Sequence, residues 1–307
     1  MIWSHAFGYA NMTKDVPADT GNIYRIGSIT KTFTATLLMQ LVEEGKVKLD
    51  DPAEKYVPEV KTIAGYAADT KFTLKQLASH TSGLKREPDT PGFDVGPIEK
   101  WQDKLISLLP KTAFNSKPDK QQMYSNIGFA ILGLALERAT GVPYIQMVQQ
   151  RIFKPLHMNN SFFVITPDKL PHLAQGISNY REAVADTVRP VTELAGRGYK
   201  VPNGGIFTTI GDLSKFAISM MVKPYLLKAS SLQQMQEVPK AGKNYGLGLA
   251  VFERTKFMGH SGGVPGYTSV FFIDKDTRYA VILMYNYNVY NTNPEKTAID
   301  LLKKLKD

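Results

Sequence analysis

Tyr24-Arg25-Ile26-Gly27-Ser28-Ile29-Thr30-Lys31-Thr32-Phe33, continued by Thr34-Ala35-Thr36-Leu37-Leu38-Met39-Gln40-Leu41-Val42-Glu43-Glu44-Gly45, decides how the chain is read. The stretch predicts one helix, opened at Gly27-Ser28 and stopped by Gly45 in the position of a C-cap glycine. Ile29, Phe33, Leu37, Leu38, Leu41 and Val42 give it a broad apolar face, so it should be largely buried. Ser28 falls at the helix N-terminus, where backbone N–H groups lack partners. Lys31 follows three residues later, on the same face and within reach of Ser28. Two readings stand side by side. Ser28 is an N-cap beside a snorkelling lysine, or it is a nucleophile beside a desolvated lysine able to act as its base.

The 307 residues, 43% of them hydrophobic, suffice for one large domain or two intimately joined ones. The net charge of +9 is spread over scattered lysines. Neither an arginine-rich arm nor zinc-finger spacing is present, so nucleic acid is not the expected partner. The chain has no cysteine, which excludes disulfides, thiol catalysis and cysteine-ligated zinc. No apolar run approaches the roughly 20 residues of a bilayer span. Residues 1–7 lack the basic start and apolar core of a signal peptide.

Working outward, residues 2–10 alternate and are rich in aromatics, which predicts a strand. Helices are expected at 73–80, with Thr73 as N-cap, at 98–109, at 126–140 ending on Gly141, at 144–152 and at 210–221. Strand-like runs at 245–252, 256–260, 267–273 and 279–285 are separated by tight turns such as Asp274-Lys275-Asp276, which predicts an antiparallel meander. A final helix starts at Pro294, with Ile299, Leu302 and Leu305 on one face. Residues 159–200 carry no legible pattern. The expected fold class is α+β: a sheet region of residues 1–26 and 205–307, a mostly helical region of 27–204, and the active site between them.

Two further constellations bear on chemistry. Tyr124-Ser125-Asn126 precedes an apolar helix. It can be an N-cap, or it can present a phenol for proton transfer and an amide for a substrate carbonyl. Gly259-His260-Ser261-Gly262-Gly263 matches a G-x-S-x-G elbow. That elbow requires a following helix and a later histidine, and here a second strand follows and His260 is the last histidine. The remaining reading is a strand edge that offers backbone N–H groups and small polar side chains to a substrate. His80 reads as a buried, hydrogen-bonded turn residue. His5, His157 and His172 have no metal spacing.

The ordered set Ser28-x-x-Lys31, Tyr124-Ser125-Asn126 and His260-Ser261-Gly262 resembles the serine β-lactamase and penicillin-binding superfamily. The tyrosine of the middle motif is similar to the class C branch, which includes D-alanyl-D-alanine carboxypeptidases, D-amino-acid peptidases and β-lactamase-like esterases. Residues 25–31, 77–84, 155–158, 204–209 and 262–267 share that likeness. The resemblance implies Ser28 as acylated nucleophile, Lys31 and Tyr124 sharing the proton work, and Asn126, His260, Ser261 and Gly262 at the substrate. It further implies an oxyanion hole from the N–H groups of Ser28 and Gly263, with neither a metal nor an organic cofactor. A small-molecule, short-peptide or ester substrate follows, as does a periplasmic or extracellular setting. Histidine in place of the lysine usual in β-lactamases favours an esterase or peptidase over a class C-like β-lactamase. A non-catalytic envelope protein on the same fold is the third alternative. The resemblance also implies a helix and a strand ahead of residues 3–9. Without them the sheet is short by one strand, and its edge calls for cover by a partner chain or a second copy.

Overall fold

The computed structural model describes residues 3–178, 190–191, 196–221, 225–254, 256–288 and 293–305. Strands β1 (Tyr9–Asn11) and β2 (Val16–Pro17) pair with each other, and β3 (Tyr24–Arg25) leads into the stretch above. Helix α1 (Thr30–Glu43) follows, then α2 (Leu74–Ala78), α3 (Trp101–Leu108), α4 (Asn126–Thr140) and α5 (Tyr144–Val148). Short strands β4 (Gly176–Ser178) and β5 (Pro190–Val191) come next. After them come α6 (Val201–Gly204), β6 (Phe207–Thr208), α7 (Ile210–Met221) and α8 (Ala229–Met235). The chain then lays down β7 (Ala250–Phe252), β8 (Phe257–Val264), β9 (Tyr267–Asp274), β10 (Ala280–Tyr285) and β11 (Tyr287–Asn288), and ends in α9 (Pro294–Lys304).

The meander is as expected: β7 to β10 form one antiparallel sheet in the order β10-β9-β8-β7. Alternation along β8 assigns its two faces. Phe257 packs with Val270, Phe272, Ala298 and Leu302 beneath α9. Met258 joins the main core, which runs without a break from α1 through α4 to Phe271 and Ile273 of β9. The helices and one face of the sheet therefore share a single apolar interior.

Helix α1 is buried more completely than an amphipathic reading suggests: residues 30–39 are all buried, Lys31 among them. Its threonines find internal partners, as buried hydroxyls must. Thr32 donates to the Gly248 carbonyl at 2.8 Å and Thr34 to the Pro202 carbonyl at 2.6 Å. Thr73 caps α2 in a capping box with Gln76, and Gly141 closes α4 with φ of 69°.

Two expectations change, for the N-terminal strand and for α9, and one sheet edge is open. Residues 3–8 do not form a strand; the N-terminal strand is only Tyr9–Asn11, and Trp3 and Phe7 are exposed. Strand-forming side chains without a neighbouring ladder do not hold an extended segment in a sheet. Among the described residues β10 pairs only with β9, so its outer edge is open. In α9 the buried positions are Ala298 and Leu302, whereas Leu305 lies past the last turn and is exposed.

Two glycines fix how the sheet meets the turn before α1. Gly27 has φ of 50°, and a Cβ there would stand 3.1 Å from the Gly263 nitrogen. A Cβ on Gly262 would fall 1.9 Å from the Ile26 carbonyl oxygen. Gly262→Ala is therefore expected to destabilise the protein by about 3 kcal/mol. The control Gly211→Ala in α7, where the nearest contact is 3.9 Å away, should be neutral or slightly stabilising. Urea unfolding of both variants checks the pair.

Candidate active site

Ser28 sits in the single 3-10 turn Gly27–Ile29 that feeds α1, and no side chain caps that helix start. The N-cap reading of Ser28 is thereby removed. Lys31, at the second position of α1, points its Nζ to 2.9 Å from Ser28 Oγ and donates to the Asn203 carbonyl, also at 2.9 Å. The amine lies 4.8 Å from the Tyr124 ring centre and 5.7 Å from that of Phe129. No carboxylate pairs with Lys31 among the described residues. Burial holds its pKa well below the usual lysine value, helped by the positive charges of Arg86, Lys200 and Arg197 and opposed by Glu87.

Tyr124 occupies the loop just before α4. Ser125 is the N-cap: its Oγ accepts from the Gly128 N–H at 3.0 Å and donates to the Lys85 carbonyl at 2.8 Å. Capping and a place beside Ser28 thus coexist in one tripeptide. The Tyr124 hydroxyl is hydrogen-bonded to Ser28, and burial pushes its pKa up to about 12 despite that bond. Ser28 is therefore flanked by an amine on one side and a phenol on the other.

Asn126 is drawn differently from the expectation. One N–H of its amide donates to Glu87 at 2.6 Å, leaving the second N–H and Oδ1 to meet a substrate. Glu87 also accepts from Lys200 Nζ at 2.8 Å and from the Tyr199 hydroxyl. Asn203 Nδ2 donates to the Asn126 carbonyl at 2.8 Å, which ties the chain that holds Lys31 to the start of α4.

Strand β8 separates its two motif side chains. His260 is buried on the Tyr124 side, with a ring separation of 6.5 Å. Its Nε2 shares a 2.8 Å hydrogen bond with the Tyr245 hydroxyl, and its Nδ1 lies 2.5 Å from the Ser261 carbonyl oxygen. Ser261 lies on the other face, where its hydroxyl donates to Glu295 of α9. The expectation that Ser261 joins His260 at the substrate is corrected by strand alternation. The same geometry disposes of the elbow, since Ser261 sits inside a continuous strand. Gly262 and Gly263 lie against the Ile26–Gly27 backbone, beside Ser28.

Sequence reasoning missed Glu87, Tyr199, Lys200, Asn203 and Tyr245. Asn203 stood just ahead of the 204–209 stretch; Tyr199 and Lys200 fell in the illegible segment; Glu87 and Tyr245 carry no local signal. Among the described residues no group of three His, Asp or Glu side chains is arranged to hold a metal ion, and no helix is long and apolar enough to cross a membrane.

The chain belongs to the Beta-lactamase family, whose pattern it matches over residues 1–305. It is 27% identical over 308 residues to penicillin-binding protein 4* of Bacillus subtilis, covering 93% of this chain and 65% of that protein. It is 28% identical over 236 residues to the D-alanyl-D-alanine-carboxypeptidase/endopeptidase AmpH of Escherichia coli K12, covering 75% and 57%. The octameric penicillin-binding protein homologue from Pyrococcus abyssi has the same fold, with a TM-score of 0.79 at 26% identity over 99% of this chain and 70% of that one. The chain spans less than two thirds of the length of these curated relatives.

Burial pushes the His260 pKa down to about 3, with the Lys31 charge adding to it and the hydrogen bond to Ser261 opposing. Between about 3 and the unfolded histidine value of about 6.5 the unfolded chain binds the extra proton, so stability rises with pH. Acidification through that window should cost up to roughly 5 kcal/mol from this group. His260→Gln, which keeps a partner for Tyr245, should flatten that part of the curve when denaturant unfolding is followed from pH 7 to pH 3.5.

Proposed function

We propose that the chain is a serine hydrolase that cleaves an ester or amide through a covalent acyl-enzyme on Ser28. The observation that supports this most directly is the 2.9 Å approach of Ser28 Oγ to a lysine amine buried without a carboxylate. Burial lowers the lysine pKa, and in its neutral form the amine accepts the serine proton as Oγ attacks the carbonyl carbon. The new Oγ–C bond leaves negative charge on the carbonyl oxygen, which the N–H groups of Ser28 and Gly263 stabilise. Tyr124, a neutral phenol at pH 7, stands on the other side of Oγ and passes a proton to the departing amine or alcohol. Water then attacks the acyl carbon. Lys31 and Tyr124 take its proton and return one to Ser28 Oγ, so the pair ends as it began.

The substrate class proposed is a D-amino-acid peptide or a related ester, in keeping with the carboxypeptidase named among the relatives. A neutral His260 offers no cation to a β-lactam carboxylate, which ranks β-lactam hydrolysis lower. As partner we propose a second copy of the chain, covering the open edge of β10. Light scattering should then report a dimer or larger, and a strict monomer contradicts this part.

Turnover of p-nitrophenyl esters and labelling by a fluorescent penicillin should both vanish in Ser28→Ala and persist within a few-fold in Ser261→Ala; loss confined to Ser261→Ala refutes the reading. Because the neutral amine is the working form, kcat/KM should rise with pH through the lowered lysine pKa and level off well short of 10.5. Lys31→Arg, which keeps the charge and cannot deprotonate, should lose about 10²–10⁴-fold.

A further inference from the structure

His80 is fully buried and adopts a φ of 61°, in the left-handed region uncommon for a residue with a side chain. Nothing in the proton transfers above uses it. It is nevertheless bound on both sides of Tyr124. The Met123 N–H donates to the His80 carbonyl at 2.7 Å, and the Ser125 N–H donates to His80 Nδ1 at 3.1 Å. The imidazole also packs against the Tyr124 ring at 4.1 Å and against Tyr245 at 4.6 Å.

From these contacts we infer that His80 is a positioning residue for Tyr124: its Nδ1 acceptor fixes the peptide after the tyrosine and so sets where the phenol stands relative to Ser28. The inference rests on the proposed role of Tyr124. The left-handed backbone is what lets one residue offer its carbonyl to Met123 and its ring to Ser125. Nδ1 can accept only when it carries no proton, which places the proton of the neutral ring on Nε2. Burial above all holds the His80 pKa well below the usual histidine value and keeps that acceptor in place at neutral pH. Nε2 has no hydrogen-bond partner among the described residues, so one ring nitrogen is unsatisfied. Loss of the Nδ1 acceptor would leave the buried Ser125 N–H unpaired at the N-cap of α4 and release the tyrosine by a fraction of an ångström or more. Misplacement of that order slows chemistry far more than it weakens binding.

The test compares His80→Asn, His80→Gly and His80→Phe. Asparagine tolerates the left-handed backbone and supplies an acceptor oxygen; glycine tolerates the backbone without an acceptor; phenylalanine fills the core without one. Melting temperatures establish that each variant is folded, and ester kcat and KM are measured with the rate of Ser28 acylation by fluorescent penicillin. His80→Gly and His80→Phe are expected to lower kcat and acylation by about tenfold or more with KM little changed, and His80→Asn to stay within a few-fold of wild type. Equal impairment of all three, or a slow Asn beside a fast Phe, overturns the inference and leaves only a packing role. Tyr124→Phe and Ser28→Ala serve as controls. If Ser28→Ala retains activity, or the wild-type protein neither turns over nor acylates, the hydrolase reading fails and this inference with it. If Ser28→Ala is inactive and the three His80 variants do not sort by acceptor, only this inference fails.

Discussion

A lysine amine enclosed by protein without a carboxylate is the constraint on which the rest of this structure depends. A charged ammonium in that place would be costly, and its surroundings do not offset it: two aromatic rings, a peptide carbonyl and a serine hydroxyl meet Nζ, while the charges that act on it are mostly positive. The amine is therefore biased toward its neutral form. The helix that bears it has to be rigid for the bias to persist, and α1 is buried almost all round, with its threonines hydrogen-bonded to α6 and to the loop before β7. Burial that would weaken an ordinary surface lysine makes this one chemically useful.

The sheet contributes through contact rather than charge. Gly262 has no side chain to hold the strand away from Ile26, and Gly27 has none to meet Gly263, so the β8 backbone lies directly on the turn that carries Ser28. His260 faces the same space and is bound to Tyr245, and its burial keeps it uncharged at neutral pH. On the opposite face Ser261 is engaged with α9. The positive charge near the site comes from Arg86 over the Tyr124 ring and from Lys200, which Glu87 partly neutralises. The site thus places its cations toward the α4 side and its backbone donors toward the strand.

Much of this was legible in the sequence because it rests on local rules. Thr73 announces an N-cap, Gly141 a helix stop, and the runs from 256 to 285 a meander; each forms as read. Ser28 and Lys31 were legible because helical spacing brings i and i+3 together, and Tyr124 because it precedes a strongly apolar helix. What escaped depends on distant contacts. Glu87 and Asn203 act on Asn126 and Lys31 through bonds between residues far apart in the chain, and no local pattern encodes such pairs. Ser261 was misplaced because a motif read as a string of letters ignores that neighbours on a strand face opposite ways. Residues 2–10 alternate and carry aromatics as a strand would, yet a strand also needs a partner, and most of that segment has none among the described residues.

The protonation state of Lys31 tests the account most directly. Lysine labelled with ¹³C at Cε and ¹⁵N at Nζ, with Lys31→Arg to assign the signal, can be titrated by NMR between pH 6 and pH 11. The account predicts a Lys31 resonance that titrates well below 10.5, while the surface lysines titrate near it. A Lys31 signal that remains that of an ammonium until the surface lysines lose their protons would contradict the central claim, since the residue beside Ser28 would then be a cation at working pH rather than a base.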